Sequence, residues 1–255
     1  MILDQIVAFK NGHLASAFSC VEILLTLYHG VLNVDPGHPL WSDRDRFILS
    51  KGHGVSALYA ILADLGFFPQ DWLTAPQEGN ALGGHADRKV PGIDWSTGSL
   101  GHGLSVATGM ALAAKMDRKD YRVFCLLGDG ELQEGAVWEA AMFAGHHQLK
   151  NLVVLVDYNR SQSCGPTSTI VDVGCIHDKF STFGWYSLNI DGHDPQKLHR
   201  AFDTVRTHRS AIPRALIAHT TKGKGVSFIE TGSQWHTSIP TKEELLAAKR
   251  ELGVA

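Results

Sequence analysis

Residues 123–135 read Val-Phe-Cys-Leu-Leu-Gly-Asp-Gly-Glu-Leu-Gln-Glu-Gly, and residues 152–161 read Leu-Val-Val-Leu-Val-Asp-Tyr-Asn-Arg-Ser. Each begins with a short, continuously apolar run. Such a run predicts a strand buried on both faces, as in a parallel sheet. Each ends in polar and glycine residues, at the carboxyl edge where open α/β sheets bind ligands. Asp129 offers a hard anionic oxygen, Asn159 a neutral amide oxygen about one strand spacing away, and Ser161 a backbone carbonyl. Oxygen donors of mixed charge with few carboxylates suit Mg²⁺ or Ca²⁺ shared with a phosphate group. Gly128 and Gly130 lack Cβ atoms, so a diphosphate can come close to the backbone. The helix expected after Glu134 would aim its N-terminal amides at the same place.

Working outward, strands are expected at 47–49, 123–127, 152–156, 185–190 and 214–218. Helices are expected within 1–31 and at 55–65, 104–116, 136–147, 176–183, 195–207 and 241–251. Ser19 is placed to cap part of the first helical segment, and Gly66 to stop the helix before it. Residues 69–99, rich in Gly, Pro and polar groups, form a long irregular stretch of the kind that usually carries function. Strands alternating with helices imply an α/β fold, a doubly wound parallel sheet with helices on both faces, and residues 1–255 read as one domain.

Composition narrows the function. The formal net charge of -3 gives no electrostatic case for nucleic acid. No apolar run approaches the roughly 18 residues of a membrane helix. The N-terminus, with Asp4 and Lys10, is unlike a signal peptide. Cys20, Cys125, Cys164 and Cys175 show no C-x-x-C spacing, so reduced thiols in a cytoplasmic protein are expected. The 14 histidines suit acid–base work and anion binding near neutral pH. Neither nucleotide-binding glycine signature is present.

The Gly-Asp-Gly segment and its downstream Asn resemble the thiamine-diphosphate signature, and the rest of the chain resembles the N-terminal half of transketolases. The likeness runs through Asn11-Gly-His13-Leu, Ser19-Cys-Val-Glu-Ile-Leu, Asp45-Arg-Phe-Ile-Leu-Ser-Lys-Gly-His53-Gly, Gly84-His85 and Ser96-Thr-Gly-Ser-Leu-Gly-His102-Gly. It continues through Ile190-Asp-Gly-His-Asp, Lys222-Gly-Lys-Gly and Trp235-His236.

This resemblance implies thiamine diphosphate as cofactor and transfer of a two-carbon ketol unit from a ketose to an aldose. It implies that His53 and His236 contact the diphosphate and sugar hydroxyls, and that His13, His85 and His236 face the ketose carbonyl and its developing oxyanion. It places Gly98 and Leu100 against the aminopyrimidine ring, and Asp129, Asn159 and Ser161 on the metal. Glu134 and Glu139 match a glutamate pair at the family's dimer interface; a solvated helix face is the plainer alternative. His146, His147 and His193 have structural readings; Lys222 could reach the diphosphate, but a solvated base in a glycine loop is its commoner reading. His102 departs from the family's usual Gln, and Cys164 from a common acidic residue.

Full-length transketolases continue into a pyrimidine-binding domain that supplies the glutamate for cofactor activation. The expectation is therefore a split enzyme, with a separate C-terminal subunit, sugar-phosphate substrates and an α₂β₂ assembly. Three alternatives stand beside it: one resembling deoxyxylulose-phosphate synthase, one resembling the α chain of 2-oxoacid dehydrogenases, and a non-catalytic cofactor-binding role.

Overall fold

Helices α1 (Ile2–Phe9), α2 (Leu14–Phe18) and α3 (Val21–Gly30) precede strand β1 (Arg46–Leu49) in the computed structural model, which describes residues 1–75, 82–231 and 233–254. There follow α4 (Val55–Asp64), α5 (Gly103–Met116), β2 (Val123–Gly128), α6 (Gly135–His146) and β3 (Leu152–Tyr158). The chain continues through α7 (Thr167–Ile170), α8 (Ile176–Thr182), β4 (Tyr186–Asp191), α9 (Pro195–Thr207), β5 (Arg214–His219), α10 (Ser227–Glu230) and α11 (Lys242–Glu251). Gly66 ends the α4 turn at φ +86°. Part of the irregular 69–99 stretch, residues 76–81, lies outside the described residues.

The strands pair in parallel in the order β1-β2-β3-β5-β4. Alternate residues feed two cores, because successive side chains of a strand point to opposite faces. Phe124, Leu126, Val153, Leu155 and Leu216 pack with α3, α4 and α9 on one face. Val123, Cys125, Val154, Val156 and Ile217 pack with α5, α6 and α8 on the other. The helix α6 carries the chain from β2 to β3, whereas α9 returns it from β4 to β5 across the opposite face, as right-handed crossovers require. A third cluster joins α1, α2, α10 and α11 through Leu3, Ile6, Leu14, Ile229, Trp235 and Ala248. It sets the N- and C-terminal regions side by side.

Two local expectations are corrected. Ser19 does not cap the start of α3, which has Cys20 at its N-cap position; it closes α2 instead, and its hydroxyl donates to Ser16 O and to Asp157 Oδ2. A 3-10 turn (Gly130–Gln133) separates Asp129 from α6, and neither Glu134 nor Gly135 at the start of that helix lines the cleft.

Candidate active site

A cleft of about 250 Å³ opens at the carboxyl ends of β2, β3 and β5. Gly128 of β2 is in register with Asp157 of β3, so Asp129 and Asn159 lie at neighbouring strand ends. Asp129 is buried at 2% exposure, and its Oδ1 accepts from the Gly130 amide at 2.8 Å. Its Oδ2 accepts from the Arg160 amide and, at 3.3 Å, from the Thr167 hydroxyl. Arg160 adopts φ +61°, an uncommon conformation for a residue with a Cβ, and this turn carries the chain from Asn159 to Ser161. Asn159 donates its amide NH₂ to Asp157 at 3.2 Å, which fixes which way the side chain points, and its Oδ1 accepts from the Ser161 amide at 3.0 Å. Asp129, Asn159 and Ser161 all line the cleft. Burial, then the charge of Asp157, pushes the Asp129 carboxyl up to about 6.

Below this set lies a buried ion pair. The Lys51 ammonium contacts Asp157 Oδ2, with the two side chains 1% and 0% exposed. Ser19 and Thr220 donate hydroxyls to the same carboxylate. Burial opposes both charges, yet the attraction between them outweighs it, holding the Lys51 pKa up and the Asp157 pKa down. Glu131 is a second buried organiser: its Oε1 accepts from the Ser50 hydroxyl and from the Gly101 amide at 2.8 Å, and its Oε2 from the Gly128 amide at 3.1 Å. Gly101 sits at φ +86° with its Cα against Glu134, where an added Cβ would fall 2.6 Å from Glu134 Cβ.

Four histidines form the opposite wall. The His13 ring lies 5.5, 5.3 and 5.1 Å from those of His53, His85 and His236, and His53 lies 5.6 Å from His236. Burial is the main reason that the pKa values of His13 and His236 fall to about 4 and that of His53 falls well below its usual value. Neighbouring charges on His85, Lys51 and Lys222 act in the same direction. At neutral pH these three imidazoles are uncharged, each able to donate at one nitrogen and accept at the other. His13 Nδ1 is buried without a hydrogen-bond partner.

Gly98 and Leu100 also line the cleft. Lys222 does so too, rather than standing in solvent: its ammonium donates to Gln162 O at 3.1 Å and to Ser161 O at 3.4 Å, and burial lowers its pKa to about 8. The carbonyl expected to meet a metal therefore already faces a cation.

Glu134 and Glu139 are not brought to the cleft; both are exposed on the α6 side. His102 stands exposed at the N-cap of α5, and Cys164 is exposed beside Ser163, a lining residue. His146 and His147 close α6 and contact each other. His193 does more than occupy a turn. Its Nε2 accepts from the Thr221 amide at 2.8 Å and its Nδ1 lies 3.1 Å from Glu22, which steadies the segment carrying Lys222. The Gly128 and Gly130 amides are both committed to carboxylates within the chain.

Sequence reasoning missed Lys51, Asp157, Glu131, Ser16 and Gln162. A lysine directly after an apolar strand and a carboxylate at a strand's last residues were the available signals, since neither is left unpaired in such positions.

A cleft with a hard-oxygen set on one side and neutral imidazoles on the other, at the carboxyl edge of a doubly wound sheet, defines a cofactor-dependent α/β enzyme. All 255 residues match the family described as "Transketolase, thiamine diphosphate binding domain". The chain is 41% identical over 252 residues to an apulose-4-phosphate transketolase subunit of Phocaeicola vulgatus, covering 98% of this chain and 89% of that protein. It is 41% identical over 254 residues to 6-deoxy-6-sulfo-D-fructose transketolase subunit SqwG of a Clostridium species, covering 99% and 92%. Among solved structures, transketolase from Leishmania mexicana superposes with a TM-score of 0.90 at 29% identity, covering 99% of this chain and 40% of that one. The chain belongs to the transketolase family and comprises its thiamine-diphosphate-binding domain.

Proposed function

We propose that this chain is the diphosphate- and metal-holding subunit of a two-chain transketolase, which moves a two-carbon ketol unit from a ketose to an aldose. The observation that carries this reading is the meeting, in one cleft, of Asp129, Asn159 and Ser161 with the four-histidine wall.

The donor set fits a hard divalent cation. It combines one carboxylate, one amide oxygen held in orientation by Asp157, and one carbonyl that already attracts an ammonium. The raised Asp129 pKa marks a buried carboxylate short of positive charge, which Mg²⁺ or Ca²⁺ would supply. When bound, thiamine diphosphate supplies the electron sink that lets the carbon–carbon bond beside a ketone break and re-form.

The chain's own residues hold and orient. Lys222 and His53 would hold the diphosphate. His13, His85 and His236 would offer N–H groups to the ketose carbonyl oxygen, where negative charge develops, and lone pairs to sugar hydroxyls. Gly98 and Leu100 would pack against the aminopyrimidine. Glu131 fastens the Gly101 turn to the Gly128 strand end, which keeps this wall at a fixed distance from the metal donors.

A second chain with a pyrimidine-binding domain would complete the site and supply the glutamate that activates the cofactor, in an α₂β₂ assembly with Glu134 and Glu139 at the interface. Two observations support a partner. The chain spans about nine-tenths of relatives named as subunits, but 36% of the mouse transketolase. Exposed Met142 and Phe143 lie on the same helix as Glu139. A cytoplasmic setting is supported by the four free cysteines. Among the described residues no helix is long and apolar enough to cross a membrane.

The test is ketol transfer between a ketose donor and an aldehyde acceptor, with the chain alone and with a candidate pyrimidine-domain chain. Turnover should require both. Full turnover by the chain alone would refute the two-chain reading, and decarboxylation of 2-oxoacids in its place would refute the reaction class.

A further inference from the structure

At the opposite, amino end of the sheet lies a second cavity, of about 320 Å³, lined by Arg122, Lys150, Arg206, Arg209 and Arg214 and by a single carboxylate, Asp120. We propose that this cavity is an anion site for a phosphate group, separate from the cofactor cleft.

Three observations carry the inference. First, Arg214, the opening residue of β5, is 5% exposed and has no carboxylate partner among the described residues. Its guanidinium donates only to carbonyls, those of Lys150, Ile212, His208 and Ser210, and its Nε is buried without a partner. A buried full charge compensated only by carbonyl dipoles favours a nearby anion.

Second, Lys150 and Arg209 have no side-chain hydrogen bond or ion pair among the described residues, although both stand at the cavity. Arg122 and Arg206 are partly neutralised, by Asp45 at 2.7 Å and Asp203 at 2.8 Å. The lining therefore keeps an excess of positive charge. An isolated surface lysine or arginine is ordinarily just solvated. Here two of them converge on a concave site floored by a buried guanidinium.

Third, the Arg214 bonds make the 208–212 turn a rigid rim rather than a loose loop. His208, stacked on Tyr186 at 3.8 Å between ring centres, anchors the same rim. The donors are thereby set before a ligand arrives, which lowers the ordering cost of binding.

The ligand class is a small tetrahedral oxyanion, either free phosphate or the phosphoryl group of a phosphorylated metabolite.

The experiment uses the full chain, with its partner where one is required, saturated with thiamine diphosphate and Mg²⁺ so that the cleft is filled. Calorimetry and thermal shift with inorganic phosphate should show salt-sensitive binding. The double variant Lys150→Glu/Arg209→Glu should bind about tenfold more weakly or worse, the loss expected from one charge-assisted hydrogen bond. Arg214 is left intact, because removing its bonds to four carbonyls would test folding instead. A parallel titration with glycerol 3-phosphate, which is neither ketose nor aldehyde, distinguishes the sources. Binding of both ligands assigns a phosphoryl group, and binding of phosphate alone assigns the free ion. Equal phosphate affinity in the double variant, or no binding at millimolar phosphate, would overturn the proposal.

Discussion

Lys51, which lines the cleft, and the buried Asp157 neutralise one another, and Asp157 also orients Asn159. Removing one partner strands the other. Lys51→Met is expected to cost about 3–5 kcal/mol of stability, the usual penalty for an uncompensated buried charge. The double variant Lys51→Met/Asp157→Leu should recover much of that loss. It should not recover metal affinity, since the Asn159 amide then has no acceptor to hold it. Urea unfolding beside Mg²⁺ titration checks both halves. Full recovery of metal affinity would show that Asp157 does not position Asn159.

The proposed metal role of Asp129 predicts pH-dependent metal binding. Its folded pKa is raised from 3.8 to about 6, so in the metal-free protein this group favours the folded state at low pH, and that contribution is lost as pH rises from about 4 to 6. A proton and a metal compete for the same oxygens, so apparent Mg²⁺ affinity should fall about tenfold per unit below pH 6 and level off above it. Asp129→Ala should abolish both the metal-induced rise in Tm and the binding of thiamine diphosphate. A metal affinity flat between pH 5 and 7 would remove Asp129 from the site.

The histidine wall acts in the opposite direction. His13 and His236 titrate near 4 when folded and near 6.5 when unfolded, and His53 is shifted the same way. Unfolding below pH 6.5 thus takes up about two protons or more. These groups weaken the fold progressively from pH 6.5 down to 4, while the carboxyls whose pKa values burial raises, Asp129, Glu131 and Asp94, act the other way. Urea unfolding at intervals between pH 4.5 and 7.5 measures the slope. The variant His13→Asn/His236→Asn should flatten it and, with the partner present, lower kcat more than it changes cofactor affinity.

Lys222 offers a separable test of diphosphate binding. Lys222→Met should raise the Kd for thiamine diphosphate by about tenfold, a charge-assisted hydrogen bond's worth, and leave folding almost unchanged. Since its pKa is lowered to about 8, affinity in the wild type should decline above pH 8. The Arg variant, charged at every accessible pH, should lose that decline.

Glu134 and Glu139 offer a test of the proposed assembly. Both are exposed here, so Glu134→Gln/Glu139→Gln should leave the stability of the chain within about 0.5 kcal/mol, as for ordinary surface changes. The interface reading expects weaker association with the partner or between copies, measured by sedimentation. Unchanged association would leave the two residues as a solvated face.

The sheet was legible because each strand is a continuous apolar run closed by polar residues. The run 123–127 becomes β2 with one residue added, and 195–207 becomes α9 without change. Positions 13, 53, 85 and 236 converge in space, as the family likeness implied. Charged groups that fold inward were not legible. A Lys at 51, an Asp at 157 and a Glu at 131 read as surface residues until tertiary structure supplies their partners from positions far along the chain. The 3-10 turn after Asp129 was also invisible, because nothing in Gly-Glu-Leu-Gln separates it from the first turn of an α-helix.

The four imidazoles stand on four stretches of chain, none of which is a strand of the sheet. The frame that holds the proposed metal donors and the wall proposed to meet the sugar are thus separate building blocks. On that assignment, exchanging the short segment around His85 between relatives would retune which polyol fits while the ladder of backbone bonds, and with it coenzyme retention, stays as it was.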